Sequence, residues 1–387
     1  MGSLSATLRK FVAPEFIFGS GSRKLAGRYA ANLGAKRVLL VTDPGVMAAG
    51  WASEVAEVLA ESDIAYCVFS AVTPNPKAEE VMDGVRRYEA EGCDVIVGVG
   101  GGSVIDCAKG IGILAANKRS ILDFEGVDNV PLPPPPLVCI PTTAGTSADV
   151  SQFAIVTDTA ERVKIAIISK AVVPDVSLVD PDTCLTMDPH LTACTGIDAL
   201  VHAVEAFVSQ ASGPMSDLHA LEAIRLIHGN LLKVLADPGD IESRASMMLG
   251  SLHAGLAFSN ASLGAVHAMA HSLGGFKDLP HGECNALLLD HVIDFNYPLA
   301  EERFMRIAHE MGLDLRGMDT KARRAALLGE VRRLRFAAGI RHTLSQRNVV
   351  GSDLGDLSRK ALADPCIVTN PRKPVFRDLE AIYEEAL

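Results

Sequence analysis

The chain has 387 residues, of which 48% are hydrophobic and 21% charged, and its 36 basic and 47 acidic residues give a net charge of −11. This length exceeds a single domain of about 150 residues, and the composition excludes a disulfide-stapled miniprotein or a fibrous chain. The acidic balance, without a basic stripe to offset it, argues against a nucleic-acid partner.

The first half of the chain alternates strand-like and helix-like segments. Two short β-branched runs, Arg37–Asp43 and Ala65–Phe69, flank a helical segment near Ala52–Glu61. A second cycle follows, in which an amphipathic segment over Ala78–Glu91 leads into the apolar run Asp94–Gly100. The alternation predicts βαβ units, and an apolar run of this kind is typical of a parallel strand that is covered on both faces.

The pattern changes in the second half. Five prolines within residues 131–136 predict a stiff connector before another short buried strand, Leu137–Ile140. After about residue 183, apolar residues recur at helical spacing without strand-like runs. The helices expected there are Thr192–Gln210, Met215–Leu235, Ile241–Phe258 and Leu263–Gly274. We therefore predict an α/β N-terminal domain over residues 1–184 and an all-helical C-terminal domain over residues 185–387.

A glycine-rich turn follows the strand that ends at Gly100. Gly100, Gly101 and Gly102 lack a Cβ, so a phosphate group could approach the unpaired N–H groups at the start of the next helix. The Rossmann pattern would need Gly or Ala where Ser103 stands, so this is a different glycine loop. A plain strand-to-helix turn is the alternative interpretation.

Two further features suit a nucleotide. The polar turn over residues 141–146, Pro-Thr-Thr-Ala-Gly-Thr, follows a buried strand, and its hydroxyls suit phosphate or ribose. Asp43 lies at the carboxyl end of the first strand, where a carboxylate can bond the adenosine ribose diol and repel a 2′-phosphate. The alternative for Asp43 is a turn-forming role before Pro44.

Candidate metal ligands occur four residues apart on two helices. Asp198 and His202 share one face of an otherwise apolar helix, His267 and His271 repeat the spacing, and His281 lies on the following turn. One buried histidine is more often a hydrogen-bonded core residue than a ligand. A divalent cation, however, would satisfy several imidazoles and an acid at once. A nitrogen and oxygen donor set without thiolate suits Fe²⁺, Zn²⁺, Mn²⁺ or Ni²⁺, and spacing does not choose among them.

In this order the motifs resemble the iron-containing alcohol dehydrogenase family (group III), nearly from end to end. The matching segments of the first half are Asp43-Pro-Gly45, Pro74-Asn-Pro76, Gly100-Gly-Gly-Ser-Val-Ile-Asp-Cys-Ala-Lys109 and Pro141-Thr-Thr-Ala-Gly-Thr146. Those of the second half are Gly196-Ile-Asp-Ala-Leu-Val-His-Ala-Val-Glu205, Gly264-Ala-Val-His-Ala-Met-Ala-His271, Pro280-His-Gly282, Asp364-Pro-Cys366 and Thr369-Asn-Pro371. The chain departs from the family at Asp149, where a longer acid is usual, and at Asp290, where proline is usual.

The resemblance implies a dehydroquinate synthase-like architecture, with an α/β dinucleotide-binding domain before an all-helical metal-binding domain. It implies that the metal ligands are Asp198, His202, His267 and His281. It places His271 near the reacting carbon, where this side chain could relay the released proton. The residues expected around NAD are Asp43, Asn75, Gly100, Gly101, Gly102, Ser103, Asp106, Thr142, Thr143, Thr146 and Lys164.

The function predicted on this basis is a metal-dependent, NAD-linked alcohol dehydrogenase that interconverts short primary alcohols and aldehydes by hydride transfer. Fe²⁺ is the expected ion, with Zn²⁺ or Ni²⁺ as alternatives. One alternative function is a regulatory protein of ethanol oxidation on the same scaffold with little or no turnover, suggested by Ser-Ala-Asp-Val-Ser-Gln at residues 147–152. Another is a metal-dependent hydrolase or lyase that activates water.

The remaining expectations concern compartment and partners. The eight cysteines include no C-x-x-C pair, which is typical of reduced, mostly buried thiols. Residues 1–10 have no apolar segment of the signal-peptide kind, and no stretch reaches about 18 uninterrupted apolar residues. We therefore expect a cytoplasmic protein that binds a small alcohol or aldehyde, has no nucleic-acid or membrane partner, and forms a homo-oligomer, a dimer or larger.

Overall fold

A computed structural model describes residues 10–387 of the chain. The expectation that the chain has no signal-peptide segment concerns residues 1–10. All of these except residue 10 lie outside the described residues. The described chain consists of an α/β first half followed by a helical second half. The predicted fold class is therefore confirmed.

The described chain contains nine strands in two sheets. Their bounds are β1 Glu15–Phe18, β2 Arg37–Val41, β3 Ala65–Phe69, β4 Val95–Gly100, β5 Gly126–Val127, β6 Leu137–Pro141, β7 Phe153–Asp158, β8 Val163–Ile168 and β9 Val176–Val179. Six of them form a sheet in the order β1-β9-β6-β4-β2-β3, and all of its neighbouring pairs are parallel. Parallel neighbours need crossover connections, which explains the alternation of strands and helices along this half.

The helices of the first half are α1 Ala26–Asn32, α2 Pro44–Ala48, α3 Trp51–Glu61, α4 Ala78–Glu91 and α5 Gly102–Asn117. The sequence pattern predicted the bounds of β3 and α4 without error, and those of β2, β4, β6 and α3 to within two residues. Every residue of β4 is buried, as the apolar run before the glycine turn predicted. The crossover from β4 into α5 places the glycine turn at the carboxyl edge of the sheet.

The second sheet was not predicted. It has the order β5-β8-β7, and β7 pairs with β8 as an antiparallel hairpin from Phe153 with Ile168 to Asp158 with Val163. The turn of this hairpin contains no glycine, and Arg162 supplies the positive φ of 52° instead. Because Asn-Gly or Asp-Gly is the strongest local signal for a hairpin, the sequence pattern did not reveal it.

The second half is helical throughout. Its helices are α6 Pro189–Val208, α7 Pro214–Ala236, α8 Ile241–Ala261, α9 Ala265–Lys277, α10 His281–Asn296, α11 Glu301–Glu310, α12 Thr320–Ala337, α13 Leu354–Ala363 and α14 Phe376–Ala386. The four helices predicted by spacing correspond to α6 through α9, with ends that agree within three residues. The domain boundary predicted between residues 184 and 185 lies between β9 and α6, and the division into two domains stays a proposal.

Helix α6 is the central element of the helical half. Asp188 caps it by accepting from the N–H of Leu191 over 2.9 Å, and Pro189 occupies its first turn. Within residues 10–387 it is the one helix whose length and composition would suffice to cross a membrane, and 94% of its most apolar window is buried inside the protein. Such burial is typical of a core helix.

Candidate metal centre and adjoining cleft

Two buried donor residues and one half-buried donor residue meet where α6, α9 and α10 pack together. Asp198 lies on α6, His267 on α9 and His281 at the start of α10. Each presents one ligand atom, and the three atoms lie within 4.8 Å of one another. Oδ1 of Asp198 is 3.8 Å from Nε2 of either imidazole. The three side chains therefore face a common point.

His202, the fourth predicted ligand, lies beside this cluster and is not one of its three close donors. Its ring stacks on that of His267 with 4.5 Å between the ring centroids. Its Nδ1 has no hydrogen-bond partner among the described residues. All four predicted side chains line the same cavity, and the participation of His202 as a ligand stays a prediction.

The chemistry of the cluster fits a divalent cation. Burial lowers the pKa of His267 and of His281 well below the usual value, so both imidazoles are neutral and offer a lone pair. Together with a carboxylate they form a nitrogen and oxygen donor set. Buried polar atoms without a partner, such as Nδ1 of His202, are rare in protein interiors. A cation would use donor capacity that the protein groups leave unused.

A buried carboxylate behind His267 orients its ring. Nδ1 of His267 donates to Oε2 of Glu205 over 2.7 Å, which leaves the Nε2 lone pair facing Asp198. The same carboxylate accepts from the backbone N–H groups of Gly264 and Val266 at the start of α9, where a helix favours negative charge. Sequence reasoning gave Glu205 no role, although its position three residues after His202 places it on the same face of α6.

His271 lies one turn after His267 and faces the same cavity. Its Nδ1 is 2.8 Å from Oδ2 of Asp364, and its ring stacks on that of His281 with 5.2 Å between the centroids. Burial acts to raise the pKa of Asp364, but the interaction with His271 and the N–H of Cys366 outweigh it and lower that pKa. Because Nδ1–H is directed at a carboxylate, Nε2 of His271 is left as the acceptor.

The donors border an inner cavity of about 100 Å³. Its apolar wall consists of Ala148, Phe153, Ile155, Phe258 and Leu263. Asp106 and Lys164 lie on its polar side; burial raises the pKa of Asp106 to about 7 and lowers that of Lys164. A cavity of this size and lining suits a small, partly apolar molecule.

A larger cleft of about 700 Å³ adjoins the cavity and has Asp198 and His281 in its wall. It is also lined by most of the residues predicted around the dinucleotide: Asp43, Asn75, Gly101, Gly102, Ser103, Thr142, Thr143 and Thr146. Asp106 and Lys164 line the inner cavity instead. Gly100 lines neither space, because it packs against Val104, whose side chain would be 2.5 Å from an added Cβ. The structure thus brings all but one of these residues to two adjoining spaces.

The glycine turn allows a close approach of two loops. A Cβ at Gly102 would lie 2.7 Å from the side chain of Thr146, and one at Gly101 would lie 3.1 Å from Thr143. No side chain caps the first turn of α5, so its N–H groups remain open toward the cleft. The turn therefore serves tight packing, as the alternative interpretation held, and also leaves the uncapped helix start that suits an anion.

Asp43 and Asn75 have defined partners at the cleft. Oδ1 of Asp43 accepts from the N–H of Val46 over 2.9 Å and caps α2, so the turn-forming role is present while the side chain also lines the cleft. Oδ1 of Asn75 accepts from Nζ of Lys164 over 2.7 Å, and its Nδ2 donates to Asp278 over 2.9 Å. Asn75 thereby links the cleft to the hairpin and to the end of α9.

The two departures from the family pattern have structural partners of their own. Oδ2 of Asp149 accepts from Oγ of Ser177 over 2.6 Å in the interior. Oδ2 of Asp290 accepts from Nε of Arg332 over 2.6 Å, which ties α10 to α12. Neither carboxylate belongs to the donor cluster.

Comparison with known proteins gives matches along the whole described fold. A model of the iron-containing alcohol dehydrogenase family matches residues 13–181, and a model of the C-terminal part of the Fe-containing alcohol dehydrogenase family matches residues 192–387. Alcohol dehydrogenase 4 of Schizosaccharomyces pombe is 40% identical over 380 residues, which is 97% of this chain and 89% of that protein.

Two further matches cover nearly all of both chains. The NAD-dependent methanol dehydrogenase of Bacillus methanolicus is 37% identical over 377 residues, 97% of this chain and 99% of that protein. A crystal structure of 1,3-propanediol oxidoreductase superposes with a TM-score of 0.95 at 39% identity, covering 98% of this chain and 100% of that one. The two structures share one fold from end to end.

Proposed function

This chain belongs to the iron-containing alcohol dehydrogenase family, and from that premise we propose that it interconverts short primary alcohols and aldehydes with NAD and a cation held by Asp198, His202, His267 and His281. As a member of that family it is an oxidoreductase, a metal-dependent alcohol dehydrogenase. The observation that carries the proposal is the meeting of three close donors from three helices beside a cleft that extends to Asp43.

Fe²⁺ is the proposed ion, because the matching family is named for iron, and the donor set also suits Zn²⁺ or Ni²⁺. When bound, such a cation supplies Lewis-acid polarisation of a substrate oxygen. NAD supplies the hydride acceptor, and a relative with NAD dependence in its name supports this choice. The protein contributes two neutral imidazoles, His267 and His281, and the carboxylate of Glu205, which accepts a hydrogen bond from Nδ1 of His267 and keeps that ring oriented.

The inner cavity supports a small substrate. Phe153 and Phe258 pack edge to face with 5.5 Å between their centroids and close one side of the cavity. A volume of about 100 Å³ leaves room for a short chain beside the donors. Relatives named for methanol and 1,3-propanediol support the same size class. We therefore favour short, unbranched primary alcohols.

His271 is the residue proposed to relay the proton. Its Nδ1–H is held by Asp364, so the lone pair of Nε2 can accept a proton from the substrate side of the cavity. The carboxylate of Asp364 then stabilises the charged ring. We therefore propose Nε2 of His271 as the atom that accepts the proton.

The regulatory alternative gains no support from these observations. In the segment over residues 147–152, the hydroxyl of Ser147 donates to the backbone of Ser251, and the N–H of Gln152 donates to Oγ of Ser259. These contacts attach the wall of the inner cavity to α8, which is a structural reason for the polar residues of this segment. The relatives named above are dehydrogenases or an oxidoreductase, and none is named as a hydrolase or lyase.

The cellular location and the assembly of the protein are also proposals. We propose a cytoplasmic location, because all eight cysteines, which lie within residues 10–387, are free and buried. We also propose a homo-oligomer, a dimer or larger, without a nucleic-acid or membrane partner. The net charge of −11 is consistent with the absence of nucleic acid.

The substitution His267→Ala tests the proposed function. We expect it to remove bound metal and NAD-dependent alcohol oxidation together, since it deletes one of the three close donors. Metal content and NADH formation with a panel of short alcohols are measured on protein purified without air. His309→Ala, at an exposed position on α11, is the matched control and should keep both. Undiminished turnover in metal-free His267→Ala protein would remove the metal mechanism.

A further inference from the structure

The carboxamide of Asn285 contacts each of the three close donors. Asn285 is fully buried on α10, one turn after His281. Its Nδ2 lies 2.6 Å from Oδ1 of Asp198, 3.2 Å from Nε2 of His267 and 3.3 Å from Nε2 of His281. Among the described residues, no other side chain lies within hydrogen-bond distance of all three.

Asp198 depends on this contact. Its carboxylate is buried, and the amide of Asn285 is the one hydrogen-bond partner that the described residues give it. Its distances to the two imidazoles, both 3.8 Å, are longer than a hydrogen bond. A buried carboxylate needs donors to hold its charge and orientation. Asn285 therefore determines which oxygen of Asp198 faces the imidazoles.

The donors differ in how many lone pairs they offer. A neutral imidazole has one lone pair, at Nε2, so the amide N–H and a cation compete for it. A carboxylate oxygen has two lone pairs, so Oδ1 of Asp198 can accept from Asn285 and face a cation together. The contact with Asp198 is thus the one that is compatible with an occupied centre.

The carboxamide oxygen of Asn285 also distinguishes this residue from an ordinary core residue. Its Oδ1 is buried without a hydrogen-bond partner in the described chain. An unpaired amide oxygen destabilises a folded protein, and leucine, which has the same branched shape with methyl groups in place of the amide oxygen and nitrogen, would avoid that cost. Packing alone therefore does not explain an asparagine at this position.

We propose that Asn285 is a positioning residue of the metal centre, which donates from Nδ2 to Oδ1 of Asp198 and so orients that carboxylate toward the cation. The inference rests on the proposed function, since it takes Asp198, His267 and His281 as ligands. It adds a residue that holds a ligand in place without itself being one.

Co²⁺ titration of the metal-free protein tests this inference. Asn285→Leu keeps the branched shape with bulkier methyl groups, Asn285→Ala avoids any clash, and both remove the donor. We expect either variant to bind Co²⁺ about tenfold to a hundredfold more weakly, as is typical for loss of a group that orients a ligand. We also expect a changed visible absorption of the bound Co²⁺, because that spectrum follows ligand geometry and a purely structural role would leave it unchanged.

Asn260→Ala is the matched control. Asn260 also carries a helix-borne carboxamide, on α8, but it bonds the backbone of Val12 and contacts none of the donors. This variant should bind Co²⁺ with the affinity and spectrum of the unmodified protein. Circular dichroism of the metal-free proteins shows whether each variant is folded.

The possible results distinguish failure of the positioning role of Asn285 from failure of the proposed function. If the unmodified protein binds Co²⁺ and both Asn285 variants bind it with the same affinity and spectrum, the positioning role is wrong and the proposed ligands stand. If the unmodified protein does not bind Co²⁺, or His267→Ala binds it equally well, the proposed function itself fails. If both Asn285 variants are unfolded while Asn260→Ala is folded, Asn285 serves the fold and the inference is overturned.

Discussion

Glu205 is buried, and among the described residues no lysine or arginine forms an ion pair with its carboxylate. Its partners are Nδ1 of His267 and the backbone N–H groups of Gly264, Val266 and His267. All of them are donors, so the site is built for a group that only accepts. Glutamine at this position would place its own N–H group opposite one of these donors, and that pair could not form a hydrogen bond.

We predict that Glu205→Gln weakens binding of Zn²⁺ or Co²⁺ about tenfold to a hundredfold, because His267 loses the acceptor that fixes its ring and tautomer. Competition with a chromophoric chelator measures the affinity. Asp149→Asn is the control, since it alters another buried carboxylate, bonded to Ser177, that touches no donor. Equal affinity in Glu205→Gln and the unmodified protein would contradict the orienting role.

At the residue scale, the sequence pattern drew attention to the donor side chains and did not reveal the residues that orient them. The four-residue spacing along α6 and α9 identified Asp198 and His267 as candidate ligands, because residues four apart share a helix face. Asn285 is four residues after His281 and could have been found by the same rule. Asp364 could not, since its contact with His271 joins positions 93 apart in the chain, and no local pattern reports such a contact.

Helix α10 begins against the backbone of α6, and this close contact places His281 beside Asp198. A Cβ on Gly282 would lie 2.4 Å from the carbonyl oxygen of Cys194. Real Cβ atoms do not approach a backbone oxygen so closely, so a larger residue would have to displace the start of α10. The donor cluster therefore depends on a glycine that is not itself a donor.

We predict that Gly282→Ala lowers stability by about 1–3 kcal/mol, as overpacking does, and also weakens cation binding because His281 moves with the helix start. Chemical denaturation of the metal-free protein and a Zn²⁺ titration measure the two effects. Gly329→Ala on α12, where an added Cβ meets nothing within 4 Å, should keep cation binding and gain slightly in stability. A Gly282→Ala protein that binds Zn²⁺ with normal affinity would show that the contact between Gly282 and Cys194 does not determine the position of His281.

Elements with a clear period were predictable and short or irregular ones were not. The bounds of α4 followed from apolar residues at helical spacing, and β3 followed from its short run of apolar and aromatic residues. The edge strand β1 has four residues, none of them fully buried, and so carries no apolar pattern. The hairpin of β7 and β8 lacked the turn residues that would have marked it, although it carries Lys164 to the cavity.

At the scale of the whole molecule, the two ends of one cleft belong to different halves of the chain. Asp43, at the end of β2, lies at one part of it, and His281 of α10 lies at another. A dinucleotide in this cleft could place its adenosine near Asp43 and its reactive ring near the donors. Fold class and the order of the halves were predictable from composition and period, but the cleft was not, because it depends on how the halves pack.

We predict that Asp43→Gly relaxes the preference for NAD over NADP about tenfold, equivalent to roughly 1.4 kcal/mol, because it removes a charge that repels a 2′-phosphate. Asp43 also caps α2, so Asp43→Ser, whose hydroxyl can replace that cap, should give the same shift with less loss of stability. The ratio of kcat/KM for the two dinucleotides is the measurement. Metal content should not change, and an unaltered ratio in both variants would contradict the assignment.

The three close donors come from α6, α9 and α10, and His271 needs an acid from beyond α13. During synthesis the ribosome therefore releases the first of these helices long before the segment that completes the pocket. A nascent chain can form the parallel sheet and its glycine turn at an early stage, whereas the ion can enter its full setting only after Asp364 has been synthesised. Binding of the cation is in this way coupled to the docking of the segment that follows α13.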